Sequence, residues 1–156
     1  MKKDMKFCVF ADVHSYDSIK KKIGDDVWDA IKVYKSFIEQ YAGWFKGEIL
    51  YSEEQKFVII FKDALNAVRF SNSIQIGLFE LDWPESLMKT EEGCEDGSYR
   101  GFRVKMGIDS SDESIQNSEE VSKICNPGQT LVTKDFFTFV ESSISEDSVF
   151  EEKGFF

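Results

Sequence analysis

The feature that most constrains the fold is a pair of apolar segments joined by a short polar stretch. Residues 44–51 and 56–61 are rich in aromatic and aliphatic side chains, and residues 52–55 between them read Ser-Glu-Glu-Gln. Extended segments separated by so few residues are typical of an antiparallel hairpin. The sequence therefore predicts a hairpin near the middle of the chain.

Elements on both sides of this hairpin predict the order strand, helix, hairpin, helix, strand. Residues 6–13 form a short apolar run typical of a buried strand, and residues 102–108 alternate in the way of a half-buried strand. Asp25 can cap a helix that ends at Gly43, and Asp63 can cap a helix that ends before Pro84. This order is the split βαβ arrangement of an α+β, ferredoxin-like fold, with an antiparallel sheet and helices mainly on one face.

The C-terminal part of the chain predicts further elements. Residues 85–99 are polar and contain glycine, so we expect an exposed loop there. The patterns then predict a short helix at about 119–125, a turn at 126–128, a strand at 129–133 and a helix at 134–140. We expect residues 1–156 to form a single domain, and the ending at 151–156, with two terminal aromatic residues, suggests truncation.

Charge and hydropathy exclude several classes of partner. The formal net charge of -10 argues against a nucleic-acid partner, because binding to a polyanion depends on lysine and arginine. The acidic segments at 91–96, 109–120 and 141–152 are predicted to be solvated. The longest apolar runs are strand-sized, well below the roughly 20 residues of a membrane-spanning helix, so we expect no direct membrane insertion.

Cysteine usage and the N-terminus predict where the protein resides. Cys8, Cys94 and Cys125 show no spacing typical of zinc or of a disulfide framework and are predicted to be reduced thiols. The basic Met1-Lys2-Lys3 precedes a short apolar segment that Asp12 closes, unlike a cleavable signal peptide. We therefore expect a cytoplasmic protein, or a cytosolic domain of a larger one.

Five segments carry a resemblance to a known family. They are Phe10-Ala11-Asp12-Val13, Gly47-Glu48-Ile49, Phe57-Val58-Ile59-Ile60-Phe61, Leu81-Asp82-Trp83-Pro84 joined across a polar insertion to Tyr99-Arg100-Gly101-Phe102-Arg103-Val104-Lys105-Met106-Gly107-Ile108, and Asn126-Pro127-Gly128-Gln129-Thr130-Leu131-Val132. In this order they resemble the catalytic domain of class III nucleotidyl cyclases, the adenylate and guanylate cyclases that make cyclic nucleotides from ATP or GTP. The fourth segment is similar to the subgroup found in fungi and kinetoplastids.

The resemblance implies a metal site at the end of the first strand, where the family uses two aspartates to hold two metal ions. Asp12 matches the first aspartate, and the Val13 backbone carbonyl lies beside it. Gapless counting along the hairpin puts Gln55 at the second position, and Glu53 could face the same side because strand side chains repeat every second residue. Mg²⁺ or Mn²⁺ is expected only if this site is partly functional.

The same resemblance implies that the other catalytic positions are degenerate. Tyr51 takes the place of the base-selecting lysine, and Gln116 or Asn117 lies near the position of the transition-state asparagine. Glu120 stands at the position of the transition-state arginine, and the stretch 109–126 is too short to include the base-reading aspartate. None of these residues is predicted to be catalytic.

Three functions are compatible with the sequence. The first is an inactive cyclase-like domain that acts as a regulatory or dimerisation module in intracellular signalling, as a homodimer, as a heterodimer with a cyclase-type domain, or by binding a nucleotide. The second is an active adenylate or guanylate cyclase that uses substitutes such as Glu53 and Asn117. The third is an unrelated ferredoxin-like binding module, in which Asp12 caps a strand. His14, the only histidine, is predicted to be a surface loop residue.

Overall fold

The computed structural model describes residues 5–110 and 112–141. The predictions made for Met1-Lys2-Lys3, for the acidic stretch beyond residue 141 and for the ending at 151–156 fall outside these residues. Within them, the strands are β1 (Phe7–Val13), β2 (Glu48–Glu53), β3 (Lys56–Phe61), β4 (Val104–Asp109) and β5 (Thr130–Val132). The helices are α1 (Tyr16–Ile23), α2 (Asp26–Trp44), α3 (Ala64–Gly77), α4 (Glu85–Met88), α5 (Ser114–Lys123) and α6 (Lys134–Val140), with a 3-10 turn at Leu78–Glu80.

The strands form one sheet in the order β2-β3-β1-β4-β5. The β2–β3, β3–β1 and β1–β4 pairs are antiparallel. This confirms the predicted hairpin of β2 and β3, and the first strand pairs with both β3 and β4. The β4–β5 pair is parallel, so the sheet is mixed and the expectation of a purely antiparallel sheet was wrong at this edge. The long connection through α5 allows this direction, because parallel neighbours cannot be joined by a short turn.

The helix boundaries test the capping predictions. Asp63 caps α3 as predicted, since its carboxylate accepts hydrogen bonds from the N–H groups of Leu65 and Asn66 at 2.8 and 3.3 Å. Asp25 precedes α2 but makes no side-chain capping bond, because its backbone is already helical. The sequence pattern missed α1, which buries only Tyr16 and Ile19.

Helices cover both faces of the sheet. On the first face, α2 and α3 pack on Val9, Phe57 and Ile59 and their neighbours, and this side holds most of the buried apolar residues. On the second face, α5 packs against β1 and β4. This helix begins at Ser114, earlier than the predicted start at about residue 119, because the residues it buries at its start are serines and leave no apolar stripe.

Gly107 allows α5 to approach the sheet closely. A Cβ atom at this position would lie 2.1 Å from the Ser118 carbonyl oxygen and 2.8 Å from the Ser122 nitrogen, both of which are backbone atoms of α5. β4 is therefore buried on both faces, and Lys105 is its only half-buried residue. The sequence predicted a half-buried strand with one polar face. That prediction is wrong at Gly107, because α5 covers this face of the strand.

The predicted exposed loop at 85–99 is exposed at residues 95–99 and partly packed at residues 85–94. It contains α4, whose Leu87 is fully buried. Buried Arg103 donates to the Gly101 carbonyl at 2.7 Å and to the Cys94 carbonyl, and it pairs with Asp96 at 3.4 Å. The polar composition of the loop is thus compatible with packing, because Arg103 holds it through backbone carbonyls.

Across the described ranges, no helix combines the length and the apolar character needed to cross a membrane.

Candidate functional site

The register of the sheet places one lysine on each side of Asp12. Asp12 pairs directly with Lys105 on β4. On the other side, the β1–β3 ladder pairs Ala11 with Phe57, so the next position along places Lys56 beside Asp12. Directly opposed residues in neighbouring strands point to the same face. The Asp12 carboxyl therefore lies on the second face of the sheet, between two residues that carry ammonium groups.

The environment of Asp12 favours its neutral form. The side chain is half-buried, and its Oδ1 atom is buried with no hydrogen-bond partner among residues 5–110 and 112–141. Burial raises the pKa of Asp12 above its usual range, whereas the charge of Lys56, the Val13 N–H, the charge of Lys105 and the nearby Gln55 side chain act in the opposite direction. Burial is the largest of these effects because the charged form loses water that the neighbours do not replace.

The hairpin tip brings Gln55 to Asp12 and turns Glu53 elsewhere. Glu54 and Gln55 form the turn between β2 and β3, and Glu54 adopts the left-handed region with φ 46°. Glu53 pairs with Lys56 and so lies on the second face, but its carboxylate accepts a hydrogen bond from the Tyr51 hydroxyl. Glu53 does not contribute to the pKa shift of Asp12. Of the two hairpin residues proposed as metal ligands, only Gln55 interacts with Asp12.

A β-bulge sets the position of Tyr51. Ile49 pairs with Ile59 but Tyr51 pairs with Val58, so Leu50 is the extra residue on β2. Tyr51 therefore points to the second face, where its ring is half exposed. The hydrogen bond with Glu53 is the main cause that raises the pKa of the Tyr51 hydroxyl, and the charge of Glu119 on α5 adds to it.

None of the three α5 residues that the family resemblance singled out is among the groups that shift the pKa of Asp12. Gln116 and Glu120 are exposed, and Asn117 donates from Nδ2 to Oδ2 of Asp109 at 3.2 Å. Asp109 is only 1% exposed, and it also accepts a hydrogen bond from the Thr133 hydroxyl. Because Asp109 pairs with Cys8, four residues from Asp12 on β1, it lies about 13 Å from Asp12 along the strand. Asn117 thus holds α5 to the sheet.

A groove separates the start of α5 from the two strands of the hairpin, β2 and β3. Its volume is about 1040 Å³, and its walls include Leu50, Ile60, Ile115, Gln116 and Glu119. The apolar residues come from β2, β3 and α5, so the groove follows the second face of the sheet. Its walls also hold one of the degenerate positions, Gln116, which therefore faces open space.

The residues near Asp12 do not fit a pair of divalent metal ions. In the described part of the chain, no group of three or more histidine, cysteine, aspartate or glutamate side chains could hold a metal ion. Asp12 supplies one carboxyl and Gln55 a neutral amide, whereas Mg²⁺ in nucleotide sites is usually held by carboxylates and substrate phosphates. The charges of Lys56 and Lys105 would oppose a divalent cation at this position.

Three side chains near Asp12 were missed by reasoning from the sequence alone. Lys56 and Lys105 look like ordinary strand-end lysines, and only the ladder register shows that they flank Asp12. The Tyr34 hydroxyl is buried with no hydrogen-bond partner among the described residues, and burial and the charge of Asp12 raise its pKa. His14 follows β1 and is half-buried. Its backbone N–H donates to the Arg103 backbone carbonyl at 2.8 Å.

The sheet order and the flanking helices define an α+β domain of ferredoxin-like type, and solved structures identify the fold more closely. An adenylate cyclase from Trypanosoma brucei, solved in its monomeric state, aligns with a TM-score of 0.77 and 17% identity over 92% of this chain and 76% of its own. The non-canonical dimeric guanylyl cyclase domain of the RhoGC fusion protein from Blastocladiella emersonii aligns with a TM-score of 0.69 and 9% identity, over 90% and 85%. The chain thus has the fold of class III adenylate and guanylate cyclase catalytic domains.

A sequence comparison agrees with this fold. The chain is 23% identical over 150 residues to an adenylate cyclase from Lachancea kluyveri, which covers 82% of this chain. It spans only 8% of the length of that relative. No protein-family model matches the chain. The expectation of an accidental resemblance in an unrelated module therefore loses its support, since that expectation required a sheet order unlike that of the cyclases.

Proposed function

We propose that this chain is a cyclase-like domain that does not catalyse cyclisation and that regulates a partner by pairing with it. The observation that carries the proposal is the composition of the Asp12 site, where Lys56 and Lys105 flank a single carboxyl and Gln55 takes the second metal-ligand position. The proposal places the domain in the cytoplasm, where its free cysteines would stay reduced.

Cyclisation makes demands that these residues do not meet. The ribose 3′ oxygen must attack the α-phosphate in line, and cations must activate that oxygen and neutralise the phosphates. A lysine ammonium can neutralise charge, but it has no empty coordination position with which to bind a hydroxyl and lower its pKa. The Asp12 site therefore lacks the means to form the nucleophile.

The α5 side of the site adds to this loss. Glu120 brings a negative charge to the position that corresponds to an arginine, and Asn117 is hydrogen-bonded to Asp109. An arginine that stabilises a phosphoryl transition state is worth roughly 10³ to 10⁵ in rate. Losing one preorganised donor costs roughly 10² to 10³. Even when these losses are not additive, a homodimer of this chain should show no measurable turnover.

The surface around the groove supports pairing with another cyclase-type domain. Leu50 is 55% exposed, Ile115 44% and Tyr51 47%, and they belong to β2 and α5 on the same face. Clustered apolar side chains at the rim of a groove are typical of a protein interface. The dimeric guanylyl cyclase domain from Blastocladiella emersonii, which shares this fold, shows that the fold can dimerise.

The first test is cyclase activity of the purified chain with Mg²⁺ or Mn²⁺ and with ATP or GTP, beside an Asp12→Asn variant. We expect both proteins to give product at the background rate. Turnover that Asp12→Asn abolishes would contradict the proposal and would make the chain an active cyclase with substitute residues.

The second test mixes the chain with a separately purified cyclase domain that is weakly active alone. We expect stimulation by the parent chain and its loss in Leu50→Glu and Ile115→Glu, because a buried carboxylate at the interface is unfavourable. Ile76→Glu is the matched control, since Ile76 is 76% exposed on α3, away from the groove. Equal stimulation by all the variants would refute this pairing surface.

A further inference from the structure

Carboxylates line both sides of the groove between α5 and the hairpin. Glu48 comes from β2, and three more acidic residues come from α5 and the positions just before it, namely Asp112, Glu113 and Glu119. Among the described residues that form the walls, Lys6 is the only basic one. The groove therefore carries an excess of negative charge that comes from both of its sides.

The cations of this chain do not neutralise the groove. None of the four ion pairs among residues 5–110 and 112–141 includes Glu48 or Glu119. Lys56 is on the same face of the sheet, but it lies four positions from Ile60 in the groove wall, which is about 13 Å along a strand. Glu53 stands directly opposite Lys56. The groove thus keeps its negative charge in the folded chain.

Exposed apolar side chains accompany these carboxylates. Leu50 is 55% exposed, Met5 48% and Ile115 44%, and all three belong to the groove walls. Exposed apolar residues that occur singly are ordinary, whereas a cluster of them on a groove marks an interaction site. A partner that fits this groove must therefore bring apolar side chains for the floor and lysine or arginine for the carboxylates.

A second copy of this chain meets only the first of these requirements. A symmetric dimer through the groove would bring the same surface of each copy together. The four carboxylates of one copy would then face the four of the other, with a single wall lysine on each side. Like charges that meet at an interface oppose association, and the formal net charge of -10 on each copy adds repulsion at longer range.

We propose that the groove binds an apolar segment flanked by lysine or arginine on a different protein, and that its charge excludes a second copy of this chain. This inference rests on the proposed function and sharpens it, because it states the chemistry of the partner's contact surface. Of a homodimer and a heterodimer, only a heterodimer with a cyclase-type domain that is basic at the contact satisfies both requirements of the groove.

The experiment measures the binding of three short synthetic peptides to the chain by calorimetry. The first alternates leucine with lysine, the second has glutamate in place of lysine, and the third has serine in place of leucine. We expect the leucine–lysine peptide to bind most tightly, because only this peptide supplies both apolar side chains and cations, and the leucine–glutamate peptide not to bind. Raising the salt from about 0.01 M to about 0.15 M shortens the Debye length from about 30 Å to about 8 Å, so it should weaken the binding.

Two double variants assign the binding to the groove. Glu48→Gln with Glu119→Gln removes two wall charges and should weaken the binding of the leucine–lysine peptide by about fivefold. Asp29→Asn with Glu39→Gln is the matched control, since it removes the same charge from exposed positions on α2, and it should bind as the parent does. The parent chain should sediment as a monomer. Melting temperatures without peptide establish that each variant is folded.

Four results would overturn the inference. They are binding of the leucine–glutamate peptide as tight as that of the leucine–lysine peptide, equally tight binding of the serine–lysine peptide, equal weakening in the two double variants, and a dimer of the parent chain that Leu50→Glu dissociates. Failure here leaves the proposed function standing if the chain still stimulates a partner cyclase domain. Cyclase turnover by the chain alone would contradict the proposed function without changing the peptide result, so the two failures are distinguishable.

Discussion

Replacing Gly107 by alanine should loosen the contact between α5 and the sheet. The new Cβ would lie 2.1 Å from the Ser118 carbonyl oxygen, whereas such atoms normally approach to about 3.5 Å. The atoms it meets belong to the helix backbone, which cannot rotate away as a side chain can. The helix must therefore retreat by about 1 Å or more, since nothing else in the contact can yield.

The magnitude follows from what such a retreat costs. Overpacking of a core contact costs about 1 to 3 kcal/mol, and a backbone obstacle puts Gly107→Ala at about 3 kcal/mol. For a domain of this size, that loss lowers the melting temperature by roughly 6 to 12 °C. The retreat also lengthens the Ser118 hydroxyl contact with the Cys8 thiol, which is 3.3 Å in the folded chain.

Urea unfolding followed by circular dichroism measures this change. Gly43→Ala is the matched control, because a Cβ at Gly43 meets nothing within 4 Å and the residue lies in α2. Alanine is the better helix former there, so the control should gain up to about 1 kcal/mol. A Gly107→Ala variant as stable as the parent chain, or a control that loses as much, would refute the close-packing argument.

Three further predictions concern single side chains. Burial raises the pKa of Asp12 above its ordinary 3.8, so its contribution to stability is present below that pH and is lost as pH rises. Asp12→Asn should therefore unfold at higher urea than the parent at pH 7, and an advantage that does not shrink below pH 3.8 would contradict this. Burial raises the pKa of Cys8 and Cys125 to about 11, so a thiol reagent at pH 8 should label Cys94 first; rapid labelling of all three would disprove the burial. Asp63→Ala should cost about 1 kcal/mol in urea unfolding, because α3 loses its cap, and no loss would mean that the cap is not needed.

Much of the fold was predictable because apolar periodicity reports directly on burial. The hairpin, α3 and its cap at Asp63, and the strand at 102–108 all carry that signal, and all are confirmed. The start of α5 carries no such signal, since its buried residues there are serines that pack against Gly107. The parallel pairing of β5 was also beyond prediction, because strand direction depends on the path of the connection.

The site was less predictable because it depends on register across strands. Counting along the hairpin placed Gln55 near Asp12, and the two side chains do interact. The same counting gave no reason to consider Lys56 or Lys105, which reach Asp12 only through the ladders of β3 and β4. The family resemblance also suggested Asn117 as a substitute catalytic residue, whereas its side-chain amide donates a hydrogen bond to Asp109 at the far end of β4. A motif read along the sequence does not show which residues of different strands are neighbours in the folded sheet.

The bulge at Leu50 sets the direction in which the side chains of β2 alternate beyond it. Because it adds one residue to β2 and none to β3, it determines which side chains of β2 beyond it share a face with Lys56. A regular ladder that kept Leu50 would pair it with Val58, and it would turn Tyr51 toward the core face and Ser52 toward the groove. Loss of Leu50 itself would leave Tyr51 opposite Val58 and Ser52 opposite Phe57, as they are now. The bulge therefore decides which side chains the hairpin tip presents beside Lys56, and removal of Leu50 alone preserves that arrangement.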